Sequence, residues 1–311
     1  VPGSAWALSE IISRSGIPKG VFNLVMGRGS VVGQTMLDSA DVNAISFTGS
    51  VETGGKVAMA CASRGAKFQL EMGGKNPLVV LDDANLDLAV AAALDGAFYQ
   101  TGQRCTASSR LIVQAKVHDA FVERMVDGMK KLKVDNALAD GTVIGPVVDE
   151  AQMAQDERYI QIARDEGGQL AWGGERLNRD TKGFYLSPAL FVGTKNDMRI
   201  NREEVFGPVA SVIKVDSYDE ALSVANDTAF GLSSGIITTP AIPPSCTRPA
   251  TSSGLRRTLI NAGTAPSRCS ARIATACSKR LGSTVATICP GRTPAARNPA
   301  ACTSISPMSC A

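Results

Sequence analysis

Two residues of the sequence, Cys105 and Glu71, are of types that together can carry out covalent catalysis. Cys105 lies in a polar, glycine-containing segment just after a predicted helix, where backbone N–H groups can face the sulfur atom and favour the nucleophilic thiolate. Glu71 stands between an apolar predicted strand and the pair Gly73-Gly74, and burial at this place would suit a general base. Residues of these two types could serve as the nucleophile that forms a thioester and as the base that activates water to hydrolyse it.

Each of these residues taken alone has a simpler interpretation. A cysteine is more often a small buried apolar residue, and a glutamate at the end of a strand is more often a solvated charge. Cys61, inside an Ala-rich predicted helix, is assigned to the first of these classes. The pair gains weight only from the segments around it.

The elements that must position this pair alternate between helix and strand, which predicts parallel α/β layers. Predicted helices cover residues 5–14, 31–39, 52–63, 88–99, 117–132, 150–166 and 219–226. Predicted strands cover residues 21–25, 44–47, 67–70, 78–81, 111–114, 185–192, 209–215 and 233–238, with one more near residue 170. Glu71 follows the third of these strands, and open sheets of this kind bind ligands at the carboxyl edge of their strands.

Five segments, in chain order, resemble the aldehyde dehydrogenase superfamily. The glutamate signature of that family is similar to residues 70–77, its cysteine signature is similar to residues 102–105, and Glu71 and Cys105 lie 34 residues apart. Residues 27–33 and 47–54 resemble the family's glycine turns at the cofactor, and residues 203–208 resemble its segment at the nicotinamide ribose. Each glycine motif alone is a weak signal, but all five segments in order are specific.

The resemblance covers residues 1–239, roughly half of a full-length member, and implies an α/β fold of the aldehyde dehydrogenase type. It implies a partial Rossmann-type NAD(P)-binding domain at residues 1–73 and an α/β catalytic domain at residues 74–239. It also implies NAD or NADP as the cofactor, a small aldehyde as the substrate, and a homo-oligomer for intact members.

The resemblance further implies roles for individual residues. The Cys105 thiolate would attack the aldehyde, the adduct would give hydride to the nicotinamide, and Glu71 would activate water. The helix that starts near Ser50 would offer its N–H groups to the pyrophosphate, and Glu204 would accept hydrogen bonds from the ribose hydroxyls. The residues implied to bind the cofactor are Gly29, Gly33, Thr48, Gly49, Ser50, Gly54, Glu71, Met72, Gly73, Glu204 and Phe206.

Within that family, the amino-acid sequence of residues 68–80 and 102–109 is most similar to that of the 2,5-dioxopentanoate (α-ketoglutarate semialdehyde) dehydrogenases. Arg104, next to the nucleophile, could bind the carboxylate of such a semialdehyde, because a guanidinium matches the two carboxylate oxygens. A structural ion pair or a solvated side chain is an equally good interpretation of Arg104.

Some residues that the family uses do not occur in this sequence. The family's oxyanion-hole Asn and its adenosine-ribose Lys belong to sequence that would precede Val1, and its late Pro-Phe-Gly-Gly segment is absent from the last 72 residues. We therefore expect the chain as written to be inactive on aldehydes. The NAD-versus-NADP preference also depends on the preceding segment and stays open.

Composition changes abruptly near Thr239. Of the 32 Lys+Arg and 29 Asp+Glu of the chain, residues 240–311 hold nine basic residues and no acidic one, together with nine of the 15 prolines and six of the eight cysteines. This composition is typical of a disordered tail or of an out-of-frame reading, and we favour the latter. The cysteines show no Cys-x-x-Cys spacing, so we expect neither a disulfide framework nor a metal site.

The charge pattern and the hydropathy restrict the possible partners and the location. Residues 1–239 carry 23 basic residues, which is 32 minus the nine of the tail, against 29 acidic ones, and no basic patch with interleaved aromatics occurs. No segment has the roughly 20 apolar residues of a membrane span. We expect no nucleic acid and no membrane as partner, and a cytoplasmic protein.

Two other classes of function remain open from the residues alone. A Cys-dependent hydrolase or acyltransferase would set a histidine beside its cysteine, and the single histidine, His118, near the start of a helix, is better interpreted as a helix-surface residue. A non-catalytic fragment that retains only nucleotide affinity is the other alternative.

Overall fold

The structure, a computed structural model, describes residues 2–239 and the two-residue strand Ala286–Thr287. The chain forms two compact units, the first ending at Gly73 and the second beginning at Gly74. The predicted tail, residues 240–311, lies outside the described residues apart from that short strand. No helix in the described part of the chain is long and apolar enough to cross a membrane.

The first unit contains three α-helices and a two-stranded parallel sheet. Helix α1 spans Pro2–Arg14, a π-helical turn spans Gly29–Gly33, and α2 spans Gln34–Asp38. Strand β1 (Ala44–Gly49) pairs in parallel with β2 (Lys67–Met72), and α3 (Val51–Ser63) connects them. Helix α3 buries Gly54, Val57 and Cys61, so its apolar stripe supplies much of this unit's interior.

One predicted strand of this unit is wrong. Residues 21–25 form bends and irregular chain, and Val21 and Val25 are well exposed, at 70% and 60%. A strand requires a neighbour for its backbone hydrogen bonds, and β1 and β2 pair only with each other among the described residues. An apolar run of five residues without such a partner therefore stays irregular.

Among the described residues, the second unit is built on a seven-stranded mixed sheet and carries a separate two-stranded antiparallel sheet. Its elements in chain order are β3 (Pro77–Val80), α4 (Leu86–Phe98), β4 (Arg110–Gln114), α5 (Ala115–Met129), α6 (Glu150–Asp165), β5 (Gln169–Trp172), β6 (Arg176–Leu177), β7 (Tyr185–Leu186), β8 (Ala189–Val192), α7 (Arg199–Arg202), β9 (Val209–Val215), α8 (Tyr218–Asn226), β10 (Ser233–Ile237) and β11 (Ala286–Thr287). The strand order is β11-β10-β3-β4-β9-β8-β5. The five middle strands are parallel, and β11 and β5 are antiparallel at the two edges.

The central strands are buried on both faces, as expected for parallel strands covered by helices. Leu78 and Val80 of β3 pack with residues of α4 and α5 in one apolar cluster, whereas Val79 packs with α8 residues in another. This alternation follows from the two-residue period of a strand. The continuous apolar runs of the sequence therefore correspond to a sheet between two helical layers, and the predicted α/β fold is confirmed.

Short elements were missed or merged by the sequence-based prediction. The predicted strand 185–192 is two strands, β7 and β8, separated by Ser187-Pro188, and proline cannot donate a ladder hydrogen bond. Strand β6 and helix α7 have two and four residues, which is too short for a periodic pattern.

Candidate active site

A left-handed turn carries the chain from α4 to the segment that holds Cys105. Gln100, Thr101 and Gly102 have φ values of 54°, 61° and 63°, so three successive residues adopt a conformation that L-residues rarely use. A Cβ atom at Gly102 would also overlap the carbonyl oxygen of Gly207. Only glycine meets both requirements at position 102, and the turn is thereby packed backbone against backbone on the segment that follows Phe206.

Beyond this turn the Cys105 segment is held at several points. The side-chain carbonyl of Gln103 accepts a hydrogen bond from the Val148 N–H at 3.0 Å, and the Ser108 N–H donates to the carbonyl oxygen of Gly96 in α4 at 2.9 Å. Cys105 itself is a free, exposed cysteine. Within the described residues no acceptor is bound by the backbone N–H of Cys105 or by that of Thr106. An exposed thiol thus stands beside two unused N–H donors.

Arg104 points toward α4. Its guanidinium donates to the carbonyl oxygens of Asp95 at 2.6 Å and Gly96 at 2.9 Å. These contacts support the structural interpretation of Arg104, because they bind its guanidinium to the backbone of α4.

The Cys105 segment lies at the amino edge of the parallel strands. Cys105 precedes β4, Glu204 precedes β9, and Gly74 precedes β3, and these three strands are neighbours in the sheet. Ligand sites of open α/β sheets usually lie at the carboxyl edge. That rule does not describe this sheet, because the candidate residues come from the loops that enter its strands.

Glu204 is brought close to the Cys105 segment through Gly74. The backbone N–H of Gly74 donates to Glu204 Oε1 at 3.0 Å, and a Cβ atom at Gly74 would lie 2.8 Å from the carbonyl oxygen of Cys105. Burial raises the pKa of the half-buried Glu204, while the Gly74 N–H and the Lys75 ammonium lower it. Two of the residues predicted from sequence, Cys105 and Glu204, therefore share one backbone neighbour.

Phe206 follows Glu204 in a strained turn. It has a φ of 60° and is 37% exposed, and α6 supports the turn from below. The side chains of Gln152 and Gln155 donate to the carbonyl oxygen of Val205 at 3.1 and 2.9 Å. The turn that carries Glu204 and Phe206 is thus fixed by side chains of a helix about 50 residues earlier in the chain.

Three buried ionisable residues near these loops were not singled out by the sequence. Lys75 is 2% exposed, and burial, with repulsion from Arg110, lowers its pKa to about 7. Arg110 is fully buried and donates to the carbonyl oxygens of Lys75, Val224 and Ala225 and to the side chain of Asn196. Asp156 is fully buried beside Gly207, and burial raises its pKa to about 7. For Lys75, its position directly before a continuous apolar strand was the sequence signal that could have indicated burial.

In the first unit, the start of α3 combines a side-chain cap with backbone N–H groups that lack acceptors among the described residues. The Ser50 side chain caps the helix by accepting from the Thr53 N–H at 3.2 Å. The N–H groups of Val51 and Glu52, in the first turn, have no acceptor among the residues that the structure describes. These donors and the positive end of the helix dipole can bind a phosphate group. Lys56, which pairs with Glu52 at 2.7 Å, reduces the effect of the single acid in this turn.

The remaining predicted cofactor residues of this unit lie around that helix start and around the π-helical turn. Thr48 and Gly49 end β1, and a Cβ atom at Gly54 would overlap the sulfur atom of Met72, the last residue of β2. Gly29 and Gly33 bound the π-helical turn, and beyond the neighbouring backbone no atom of the described residues lies within 4 Å of a Cβ built at either position. Internal packing thus explains Gly54 but leaves open space at Gly29 and Gly33.

Glu71 stands at the end of β2, beside Gly73, the last residue of the first unit. It pairs with Thr48 in the ladder, and its carboxylate accepts a 3.4 Å hydrogen bond from Gln69 Nε2. The expectation that Glu71 is buried is wrong, since its side chain is exposed. The reason is that most side chains of β2 are exposed in a sheet of two strands.

His118 is far from the thiol along the sheet. Cys105 precedes β4 and His118 follows it, so the five residues of β4, roughly 15 Å of strand, separate the two positions. His118 Nδ1 lies 2.6 Å from the Asp119 carboxylate. The two ends of one strand cannot form a Cys–His pair, which removes the main structural support for a hydrolase of that kind.

Comparison with known proteins follows the same division of the chain. The sequence profile described as the aldehyde dehydrogenase family matches residues 1–242. An α-ketoglutaric semialdehyde dehydrogenase of Bacillus subtilis (strain 168) is 46% identical over 226 residues, which cover 72% of this chain and 46% of the relative. A betaine aldehyde dehydrogenase of Mesorhizobium japonicum is 45% identical over 239 residues, covering 76% and 49%.

Solved structures give the same result. A betaine aldehyde dehydrogenase from Staphylococcus aureus, solved in complex with NAD+, is 37% identical with a TM-score of 0.73, covering 75% of this chain and 47% of that one. An NAD-dependent aldehyde dehydrogenase from Sinorhizobium meliloti is 38% identical with a TM-score of 0.75, covering 77% and 47%. The chain spans about half the length of the curated relatives it matches.

Proposed function

Because this chain belongs to the aldehyde dehydrogenase family, we propose that it serves the NAD(P)-dependent oxidation of an aldehyde to a carboxylic acid, with Cys105 as the nucleophile. The observation that carries the proposal is the exposed Cys105 thiol beside the unused N–H groups of Cys105 and Thr106. Donors in that position stabilise a thiolate, and they also stabilise the oxygen anion of a tetrahedral adduct.

The residues present fit the cofactor that this reaction requires. The free N–H groups of Val51 and Glu52 suit a pyrophosphate, and the half-buried Glu204 carboxylate suits ribose hydroxyls. Gly29 and Gly33 have open space around them, which allows a ligand to approach the backbone. Ser50, Gly49 and Thr48 shape the helix start, Gly54, Met72 and Gly73 shape the neighbouring strand end, and Phe206 offers a flat apolar surface near Glu204. When bound, a nicotinamide cofactor supplies the hydride acceptor.

The chain's own residues then carry the remaining steps. The Cys105 sulfur forms a bond to the aldehyde carbon, and the carbonyl oxygen, now an anion, accepts from the Cys105 N–H. After the adduct loses hydride, a thioester to Cys105 remains. Glu71 takes a proton from a water molecule as the water oxygen bonds to the acyl carbon. The Cys105 thiolate then leaves as the acid is released.

For the substrate, we propose a semialdehyde such as 2,5-dioxopentanoate. The similarity to the Bacillus subtilis enzyme supports it. Arg104, which precedes Cys105 in the sequence, would have to leave the α4 carbonyls to bind the substrate carboxylate. The betaine aldehyde dehydrogenase of Mesorhizobium japonicum has nearly the same sequence identity to this chain. However, a betaine aldehyde carries a cation where the semialdehyde carries a carboxylate. Charge therefore separates the two candidates.

Protection of Cys105 against alkylation tests the substrate class without a need for turnover. With iodoacetamide as the reagent, 2,5-dioxopentanoate should protect at about tenfold lower concentration than betaine aldehyde, the effect of one charged hydrogen bond. Protection that is equal, or stronger with betaine aldehyde, contradicts the semialdehyde proposal. Arg104→Met should abolish the difference if Arg104 supplies the charge.

An activated ester tests the nucleophile, because p-nitrophenyl acetate acylates a thiol directly and bypasses hydride transfer. We expect the chain to release p-nitrophenolate, and Cys105→Ser to release it at least roughly a hundredfold more slowly. Cys61→Ala, which removes a buried thiol of α3, is the matched control and should release it at the wild-type rate. Equal rates for wild type and Cys105→Ser contradict the proposal. His118→Gln should also be unchanged, whereas a hydrolase that used this histidine would lose its activity.

NAD(P)H formed from an aldehyde by the purified 311-residue chain would contradict the prediction that the chain as written is inactive. The homo-oligomer expected of intact family members also stays a prediction, and such a member should elute from a sizing column well ahead of its monomer. A reduced thiol nucleophile favours a cytoplasmic location, because thiols persist in that compartment.

A further inference from the structure

A buried amide, Asn76, connects three segments of the second unit at the nucleophile. It is 3% exposed, and its Nδ2 donates to the carbonyl oxygens of Cys105 at 2.8 Å and Ala107 at 2.9 Å. Its Oδ1 accepts from the backbone N–H of Ser233 at 3.0 Å. The Asn76 side chain thus makes three hydrogen bonds, which join the starts of β3 and β10 to the Cys105 segment.

The two carbonyl contacts fix the orientation of whole peptide planes. The C=O and the following N–H of a trans peptide point in opposite directions, so binding one end turns the other end away. The second plane shows this arrangement directly. The Ala107 carbonyl points to Asn76, while the Ser108 N–H of the same peptide donates to Gly96 of α4.

The first plane follows the same geometry with one difference. The Cys105 carbonyl is bound by Asn76, so the Thr106 N–H of that peptide is directed away from the buried amide. Unlike the Ser108 N–H, the Thr106 N–H meets no acceptor in the described part of the chain. A fixed donor without a partner thus remains on the exposed side of the loop, one residue from the thiol.

We propose that Asn76 is a positioning residue for the nucleophile: it holds the Cys105–Thr106 peptide so that the Thr106 N–H is available to the Cys105 thiolate and to the oxygen of its adducts. The inference rests on the proposed role of Cys105. The alternative is that Asn76 merely fastens three loops. The two roles differ in their effect on the charged form of the thiol, because an N–H donor stabilises a thiolate much more than a thiol.

The test is the rate at which iodoacetamide alkylates Cys105 in the 311-residue chain between pH 7 and pH 10. Trypsin cleaves after Arg104 and Arg110, so residues 105–110 form a hexapeptide that reports on Cys105 alone among the eight cysteines. Asn76→Ala should be alkylated about tenfold more slowly than wild type at pH 7, the effect of one hydrogen bond to a charged group. At pH 10 its rate should equal that of wild type, because alkali ionises the thiol without help.

Control variants separate positioning from folding. Asn178→Ala removes an exposed amide and should match the wild type at every pH. Asn76→Ser keeps a donor and should be slowed less than Asn76→Ala. Equal rates at pH 7, or the same slowing at pH 7 and pH 10 in a variant with native circular dichroism, would overturn the proposal.

A measurement on the wild-type chain covers the case in which the Asn76 variants do not fold. The Thr106 amide hydrogen should exchange freely in the chain and become protected once Cys105 is acetylated, whereas exchange at the Ser233 amide should be slow in both states. A Thr106 amide that stays unprotected overturns the proposal. Because iodoacetamide requires no aldehyde and no cofactor, failure of the Asn76 inference is distinguishable from failure of Cys105 to accept an acyl group.

Discussion

Buried charge is concentrated under the loops that carry the candidate site of the second unit. Lys75 lies just before β3, and Arg110 is the first residue of the adjacent strand β4. Asp156 lies against the turn that follows Glu204. One carboxylate oxygen of Asp156 has no hydrogen-bond partner. Leaving a buried carboxylate half-satisfied costs free energy of folding, which explains why its pKa is raised.

Asp156 therefore gives the chain a pH-dependent stability. Its pKa rises from 3.8 to about 7, mainly through burial, so the folded chain holds a proton that the unfolded chain releases between these values. The stabilisation is complete below the unfolded pKa and is lost as the pH rises through the folded one. Asp156→Asn, which stays neutral, should gain on wild type by a few kcal/mol in unfolding free energy between roughly pH 4 and pH 7, and no further above.

Urea unfolding followed by circular dichroism at a series of pH values checks this prediction. Asp180→Asn is the matched control, because Asp180 is exposed and its replacement should leave the pH dependence of stability unchanged. A constant difference between Asp156→Asn and wild type across this pH range would contradict the account.

At this scale the sequence identified the candidate side chains more readily than the residues that support them. Cys105 and Glu204 stand in recognisable motifs, and the structure brings both to Gly74. Asp156 contacts Gly207, 51 residues later in the chain, and no local pattern announces such a contact. The expectation that Glu71 is buried failed for a similar reason, because burial depends on neighbours that the end of a strand does not specify.

Among the elements, the turn between α4 and the nucleophile segment has the least freedom. Gly102 combines a positive φ with close contact to the carbonyl oxygen of Gly207. Gly102→Ala should therefore destabilise the chain by more than the roughly 1–2 kcal/mol that a left-handed alanine costs alone. It should also slow alkylation of Cys105 at pH 7, because the overlap displaces the start of its loop.

Gly167 offers a matched control for that variant. It has a φ of +93° but no atom within 4 Å of a Cβ built there, so Gly167→Ala isolates the conformational cost. Urea unfolding of the two variants measures the difference. Equal destabilisation would show that the packing of Gly102 on Gly207 contributes little.

The order of helices and strands could be predicted because the central strands are continuous apolar runs and the helices are amphipathic. The predicted strand 209–215 coincides with β9. Prediction failed where an element depends on a distant partner, as for residues 21–25, and where a proline divides an apolar run, as at Pro188. The edge of the second sheet at which the site lies also depends on loop packing, which periodicity does not encode.

At the scale of the whole molecule, the residues of the proposed mechanism are distributed along the chain. Cys105 belongs to the second unit and Glu71 to the first, and each is held by its own elements. Motif order along the sequence was sufficient to predict the family, and the match to residues 1–242 confirms it. The proposed roles of Cys105 as nucleophile and Glu71 as base are the central claim.

The mass of the tryptic peptide of residues 105–110 after exposure to p-nitrophenyl acetate tests that claim most directly. If Cys105 accepts the acyl group and Glu71 activates the water that removes it, Glu71→Gln should retain the acetyl group on this peptide, with hydrolysis slowed by about a hundredfold or more relative to wild type. Acetylation that is absent from this peptide, or that disappears equally fast in Glu71→Gln and wild type, would contradict the assignment of nucleophile and base.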